Sequence, residues 1–151
     1  MQKVSVFFDT NVLVYAHDEL SPFHENSALL LDLALAKEIT GIISEQNIME
    51  LYRILTNPTA MRGKPLSPSE ARQLIEETYL SGNLKVVFPT RETTRKALEL
   101  ADQEKISSAR IFDIKLYALA LRHKPTYFAT YNTEDFKNLG NLTLKTPAEM
   151  I

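Results

Sequence analysis

The strongest constraint is a rhythm: short β-favouring runs alternate with longer segments of helical spacing. Val4 to Phe8 is nearly unbroken in its β preference, the pattern of a strand buried on both faces, and Asp9 ends it. From Thr10 the spacing turns helical through Val14 and Tyr15. Ser21-Pro22 then offers a cap and a first-turn proline, predicting a long helix to about Lys37. A second buried strand is expected at Ile39 to Ser44. A helix opening at Ser44 follows and stops near Asn57-Pro58, because the residue before proline resists the α region. The stretch 56–67 holds Pro58, Gly63 and Pro65 and reads as a loop or flap.

Ser67-Pro68-Ser69-Glu70 has capping-box spacing and starts a helix to about Ser81. Leu84 to Phe88 is a third strand. Helices at about 90–105 and 110–123 precede a fourth strand at Thr126 to Thr130 and a weaker fifth at Leu142 to Lys145. With 151 residues and no linker, repeat or low-complexity segment, the chain is expected to form one domain over 1–151. The architecture predicted is α/β, three-layer α/β/α, with a mainly parallel central sheet of four to five strands.

Composition removes whole classes of function. Without cysteine there is no disulfide framework, thiolate zinc site, iron–sulfur cluster or cysteine nucleophile. The formal charge of −2, from 17 basic and 19 acidic residues, attracts no polyanion by itself, so nucleic acid would have to meet a local basic patch. The apolar run before Asp9 is too short for a signal-peptide core, and the greasiest stretch, Ala28 to Ala36, contains Asp32 and is too short to span a bilayer. A soluble, reducing, cytoplasmic setting with no membrane partner is expected. The glycines are too scattered for a phosphate cradle, and His17, His24 and His123 lack zinc-site spacing and read as surface or helix-end residues.

Open parallel sheets bind ligands where their strands end, which directs attention to the polar residues there. Asp9 stands at such an end, although an N-cap explains an aspartate in that place equally well, as it would Thr10 and Asn11. Asp113 shares a helix face with Tyr117, Ala120 and Leu116, opposite Lys115 and Arg122. A carboxylate on an apolar face calls for a cation, several donors or a metal; Arg110, one turn earlier, is the nearest candidate for a simple ion pair. Glu50 lies outside the apolar arc of Ile48, Leu51, Tyr52 and Leu55, where a solvated pair with Arg53 would suffice. Past the fourth strand, Thr130-Tyr131-Asn132-Thr133-Glu134-Asp135-Phe136 gathers an amide and two carboxylates.

The order of these motifs is more specific than any one of them. F-F-D-T-N-V-L-V-Y-A, S-E-Q-N-I-M-E-L-Y-R-I-L-T-N-P, R-I-F-D-I-K-L-Y-A-L-A and A-T-Y-N-T-E-D-F together resemble the PIN-domain family, most nearly the VapC-type toxins of toxin–antitoxin pairs. The resemblance runs from the first strand nearly to the end of the chain. It implies an RNA-cleaving centre of three or four acids binding Mg²⁺ or Mn²⁺, products with 5′-phosphate and 3′-hydroxyl ends, a homodimer, and inhibition by a small antitoxin protein. Matched residue by residue, Asp9 is the first acid, Glu50 the second and Asp113 the third. The fourth is assigned to Asp135, in a D-F form, with Asn132 as a neutral or water-mediated contact and Glu134 as the fallback. Thr10 and Thr130 look like supporting hydroxyls, and Asn11 an orienter of Asp9.

Physics favours a cation in such a cluster. Two carboxylates ~4 Å apart repel by about 4 kcal/mol at an effective dielectric near 20, so three or four would protonate or splay without one. Magnesium and manganese take oxygen ligands and keep waters, one of which can become a nucleophile. For the substrate, no acidic residue interrupts the chain between Glu50 and Glu70, where Arg53, Arg62 and Lys64 lie. With Arg110 they form a candidate phosphate track. Two other readings remain: a non-catalytic scaffold of the same fold that binds RNA or protein, and a phospho-receiver domain. The latter wants an acceptor aspartate after the third strand, where this chain has Phe88-Pro89.

Overall fold

A computed structural model describes residues 3–151. The first strand, β1 (Ser5–Phe8), leads through Asp9 into α1 (Thr10–Ala16) and α2 (His24–Leu35). Next come β2 (Thr40–Ser44), α3 (Glu45–Leu55), α4 (Pro68–Thr78) and β3 (Lys85–Val87). Then α5 (Arg91–Glu104) and a 3₁₀ turn (Ser108–Arg110) precede α6 (Ile111–His123) and β4 (Tyr127–Ala129). The chain closes with α7 (Thr133–Phe136), β5 (Leu144–Lys145) and α8 (Pro147–Met150). The strands form one five-stranded sheet in the order β3-β2-β1-β4-β5, parallel throughout. This is the three-layer α/β/α architecture expected.

Alternation along β1 divides the core in two. Val6 and Phe8 point to one face, where they pack with Leu13, Leu30, Ile43, Leu51 and Ile75. Phe7 points to the other and meets Ile42, Ile114, Tyr117, Phe128 and Phe136. Both faces are dry, which is why β1 reads as a continuous apolar run. Gly41, in register with Val6, is required by packing: a Cβ there would stand 2.7 Å from both Ala34 Cβ and Leu84 Cδ2.

Local chemistry sets most boundaries. Ser44, Ser67 and Thr90 each cap a helix through a hydroxyl that accepts from the backbone N–H three residues on, and the third residue's side chain answers back. The expected start of α2 at Ser21-Pro22 is corrected. Ser21 Oγ accepts from the Phe23 N–H at 3.1 Å and its carbonyl accepts from the His24 N–H, so the segment is spent on a turn and the helix opens at His24. Two short helices, α7 and α8, were not anticipated, although Thr146-Pro147-Ala148-Glu149 carries its own capping box. All three histidines stand at helix ends: His17 closes α1, His24 opens α2 and His123 ends α6. Among the described residues no helix is long and apolar enough to cross a membrane.

Candidate metal centre

The central strand delivers Asp9 to the carboxyl edge of the sheet. Its backbone N–H donates to the Ala129 carbonyl at 2.9 Å, so the β1–β4 pairing extends to the residue itself. Its carboxylate accepts from the Thr10 N–H at 2.8 Å, capping α1, and from the Thr130 hydroxyl at 2.7 Å. Capping and pocket lining are therefore combined in one side chain. Asp9 is only 7% exposed. Burial pushes its carboxyl up from 3.8 to about 6; the Thr130 and Thr10 hydrogen bonds work against this, while the charges of Asp113 and Glu50 add to it.

Glu50 is held by two elements at once. Its Oε1 accepts from the Thr10 hydroxyl at 2.6 Å, and Thr10 Oγ1 in turn accepts from Asn47 Nδ2 at 2.9 Å. Asn47 is itself fixed, its Oδ1 accepting from the Ser44 N–H and hydroxyl. The capping box of α3 thus continues as a chain, Ser44 to Asn47 to Thr10 to Glu50, that locks α3 against α1. Gln46 Nε2 lies 3.4 Å from Glu50 Oε2 and donates at 2.9 Å to the carbonyl of Phe112, the residue before Asp113. One amide therefore spans the helices that carry Glu50 and Asp113.

Asp113, in the first turn of α6, is half-buried. Its carboxyl is raised by burial and by Glu50, lowered by the Arg110 guanidinium, and raised again by Asp135. Asp9, Glu50 and Asp113 line one cavity of ≈ 170 Å³ with Asn11, Arg53 and Asn132. Asn11 Oδ1 is buried with no hydrogen-bond partner. Among the described residues, however, no three acidic or histidine side chains converge tightly enough to form a closed metal-binding set. Glu50 is turned toward Thr10 and Gln46.

The other expected residues divide between two places. Asn132 lines the acidic cavity, and its N–H donates to Thr130 Oγ1 at 3.0 Å, so Thr130 ties the loop after β4 to Asp9. Asp135 and Glu134 line the adjoining hollow with Arg110, whose Nη2 donates to the Asp135 carbonyl at 3.2 Å. Glu134 also pairs with Lys137 at 2.6 Å. Arg53 faces the acidic cavity. Arg62 instead pairs with Asp18 at 2.7 Å, tying the 56–67 loop to the end of α1, and Lys64 is exposed on the same loop. Sequence reasoning missed Gln46 and Asn47, for which the only signal was the Ser44-to-Asn47 capping spacing. A larger cleft of ≈ 500 Å³ lies between α3 and α4, but it is largely apolar, lined by Ile48, Met49, Tyr52 and Leu80, and its one carboxylate, Glu76, pairs with Arg72.

The model of the PIN domain matches residues 6–142. Ribonuclease VapC24 of Mycobacterium tuberculosis is 32% identical over 133 residues, covering 87% of this chain and 89% of its own length. Among solved structures, VapBC2 from Rickettsia felis, bound to a DNA fragment from its promoter, superposes with a TM-score of 0.65 at 20% identity, covering 95% of this chain and 98% of that one. VapC20 of M. tuberculosis, a sarcin-ricin loop cleaving toxin, gives 0.66 at 14% identity over 88% and 94%. These likenesses share the parallel sheet and its helical layers. The match over nearly the whole chain, with a ribonuclease relative at this identity, places the protein in the PIN-domain family.

Proposed function

We propose that this chain, as one PIN-like domain over 1–151, is a divalent-metal-dependent endoribonuclease and the toxin of a toxin–antitoxin pair. Its partners are an RNA substrate, a cognate antitoxin protein that blocks it and a second copy of itself, and it works in the cytoplasm. One observation carries the reading: Asp9, Glu50 and Asp113, from segments 40 and more residues apart, line one cavity at the carboxyl edge of the sheet. The named relatives supply the activity class: ribonuclease VapC24 by sequence, and toxin–antitoxin assemblies by fold.

The donor set fits a hard cation such as Mg²⁺ or Mn²⁺. All donors are oxygens, Asn11 offers one without a partner, and Asp9 is a buried carboxyl whose ionised form lacks a counter-charge. Asp9, Glu50 and Asp113 would hold the ion, with Asp135 as the fourth carboxylate and Asn132 reaching through water. When bound, it supplies charge neutralisation on the phosphoryl oxygens and a polarised water. The chain's own residues do the positioning. Thr10 and Thr130 fix Glu50 and Asp9 through single short hydrogen bonds. Arg53 and Arg110 flank the acids and suit the phosphates on either side of the scissile bond, with Lys64 extending the track along the loop that the Arg62–Asp18 pair anchors. Hydrolysis at such a centre would join a water oxygen to phosphorus and break the P–O3′ bond, the water's proton going to solvent and the departing 3′ oxygen taking one up, which leaves a 5′-phosphate and a 3′-hydroxyl.

The test is cleavage of a mixed RNA pool with Mg²⁺ or Mn²⁺ by the parent chain and by Asp9→Asn, Glu50→Gln and Asp113→Asn. Each variant should lose at least about 100-fold in rate, and excess chelator should stop the parent. Cleavage surviving chelation or all three substitutions refutes the metal centre. RNA binding with no cleavage under any metal would assign the chain to a non-catalytic scaffold.

A further inference from the structure

We propose that a second phosphate site, at the opposite end of the sheet, is formed by Lys3, Lys37 and Lys85 and takes the backbone of the RNA that the acidic cleft cuts. The inference rests on the ribonuclease reading. A cavity of ≈ 230 Å³ opens at the amino edge, where β2 and β3 begin, and these three lysines line it with Thr40, Asn83 and Gly82. No carboxylate lines it, and none of the three lysines forms a salt bridge among the described residues. The Lys3 ammonium donates to the backbone carbonyl of Lys37, which holds its charge at one lip. Lys85 also acts on His123 at the end of α6, where Arg122 adds to the same positive field.

A chain with a formal charge of −2 lines one hollow with three lysines that have no carboxylate partner among the described residues, with a hydroxyl and an amide beside them. An anion with several acceptor oxygens is attracted by several lysine charges at once. Lysine binds phosphate as a point charge and needs no planar fork, so the site suits a backbone phosphate read for charge and not for sequence. Its distance from the acids favours a macromolecule over a free nucleotide. The strands between the two edges are short, which puts the sites on the order of 15–20 Å apart. A folded RNA anchored at the cleft can reach both. The acidic cleft repels polyanions, so a remote basic anchor would also help hold substrate before the cut.

The decisive measurement uses the full chain in the cleavage-deficient Asp113→Asn background with Mg²⁺ present. Binding of a folded RNA hairpin is titrated against salt, with and without Lys3→Gln, Lys37→Gln and Lys85→Gln together. The triple variant should bind at least about 100-fold more weakly near 0.1 M salt, and its log–log salt slope should shrink by roughly 2 to 3. Arginine at the same three positions should restore both values. In the Asp113-containing chain, cleavage of a short single strand confined to the acidic cleft should be unchanged by the triple substitution. Unchanged hairpin affinity and slope, with the fold intact by circular dichroism, overturn the proposal, as does weaker binding that arginine fails to restore. Loss of binding to polyglutamate with hairpin binding untouched would mark an acidic-protein surface and equally overturn it. Binding needs no chemistry, so absence of cleavage in the parent chain would count against the ribonuclease reading alone.

Discussion

Replacing Asp9 with asparagine should abolish cleavage and at the same time make the protein more stable. In the folded state this carboxyl is held near 6, against 3.8 when unperturbed. The folded chain therefore binds the proton more tightly than the unfolded one. The penalty is absent below pH 3.8, grows as the pH rises toward 6 and is complete above that. At 1.36 kcal/mol per pH unit, roughly two units amount to about 3 kcal/mol at pH 7.5 in the absence of divalent metal. Asparagine removes the buried charge and keeps an acceptor for the Thr10 N–H. The Thr130 hydroxyl, which donates to Asp9 Oδ2, must turn to accept, and this imperfect exchange returns about 1 kcal/mol or somewhat more.

A net gain of roughly 1–2 kcal/mol remains, or about 3–6 °C in Tm for a chain of this size. At pH 4.5 most of the penalty is already gone, so the advantage should shrink by about 2 kcal/mol. Thermal and urea unfolding in chelator at the two pH values measure this directly. On the proposed metal centre, saturating Mg²⁺ should then stabilise the parent more than the variant, because an ion held jointly by Asp9, Glu50 and Asp113 would bind only the folded state. An advantage independent of pH, or a variant less stable than the parent at pH 7.5, would refute the argument from burial and like charge.

Two further perturbations read other parts of the fold. His17, whose Nε2 lies 2.6 Å from the Tyr79 hydroxyl, is held at about 4, below its ordinary 6.5, by burial and then by His24. Its neutral form supports the fold above pH 6.5, and on the order of 2–3 kcal/mol is lost as pH falls toward 4, opposing the trend set by Asp9. Titrating the imidazole by NMR checks this, and a midpoint near 6.5 contradicts it. Gly41→Ala should destabilise by about 1–3 kcal/mol, read as a lower urea midpoint, since its new methyl meets Ala34 and Leu84 at 2.7 Å.

Much of this was legible in the chain itself, because the buried parallel strands and capping boxes are local signals. Val4 to Phe8 declares a strand dry on both faces, and Ser67 to Glu70 declares a helix start. What escaped is non-local. A helical wheel places Glu50 outside the apolar arc of α3 but cannot say that this side faces another helix and not water; only Thr10, 40 residues away, makes that so. The wheel also made α6 look two-sided, whereas Ile114 and the whole of Leu116 to Ala120 are buried. Arg62 read as a free cation because Asp18, its partner, lies 44 residues upstream. Ser21-Pro22 failed for the opposite reason: a turn and a cap use the same residue types, and spacing alone does not separate them.

The bond from Thr130 to Asp9 joins positions 121 apart, and β4 must slot in beside β1 before it can form. The three acids share a cavity only while β4 lies beside β1 and α6 is docked. A fluctuation that frees either element disperses them, so the centre persists no longer than that long-range pairing does.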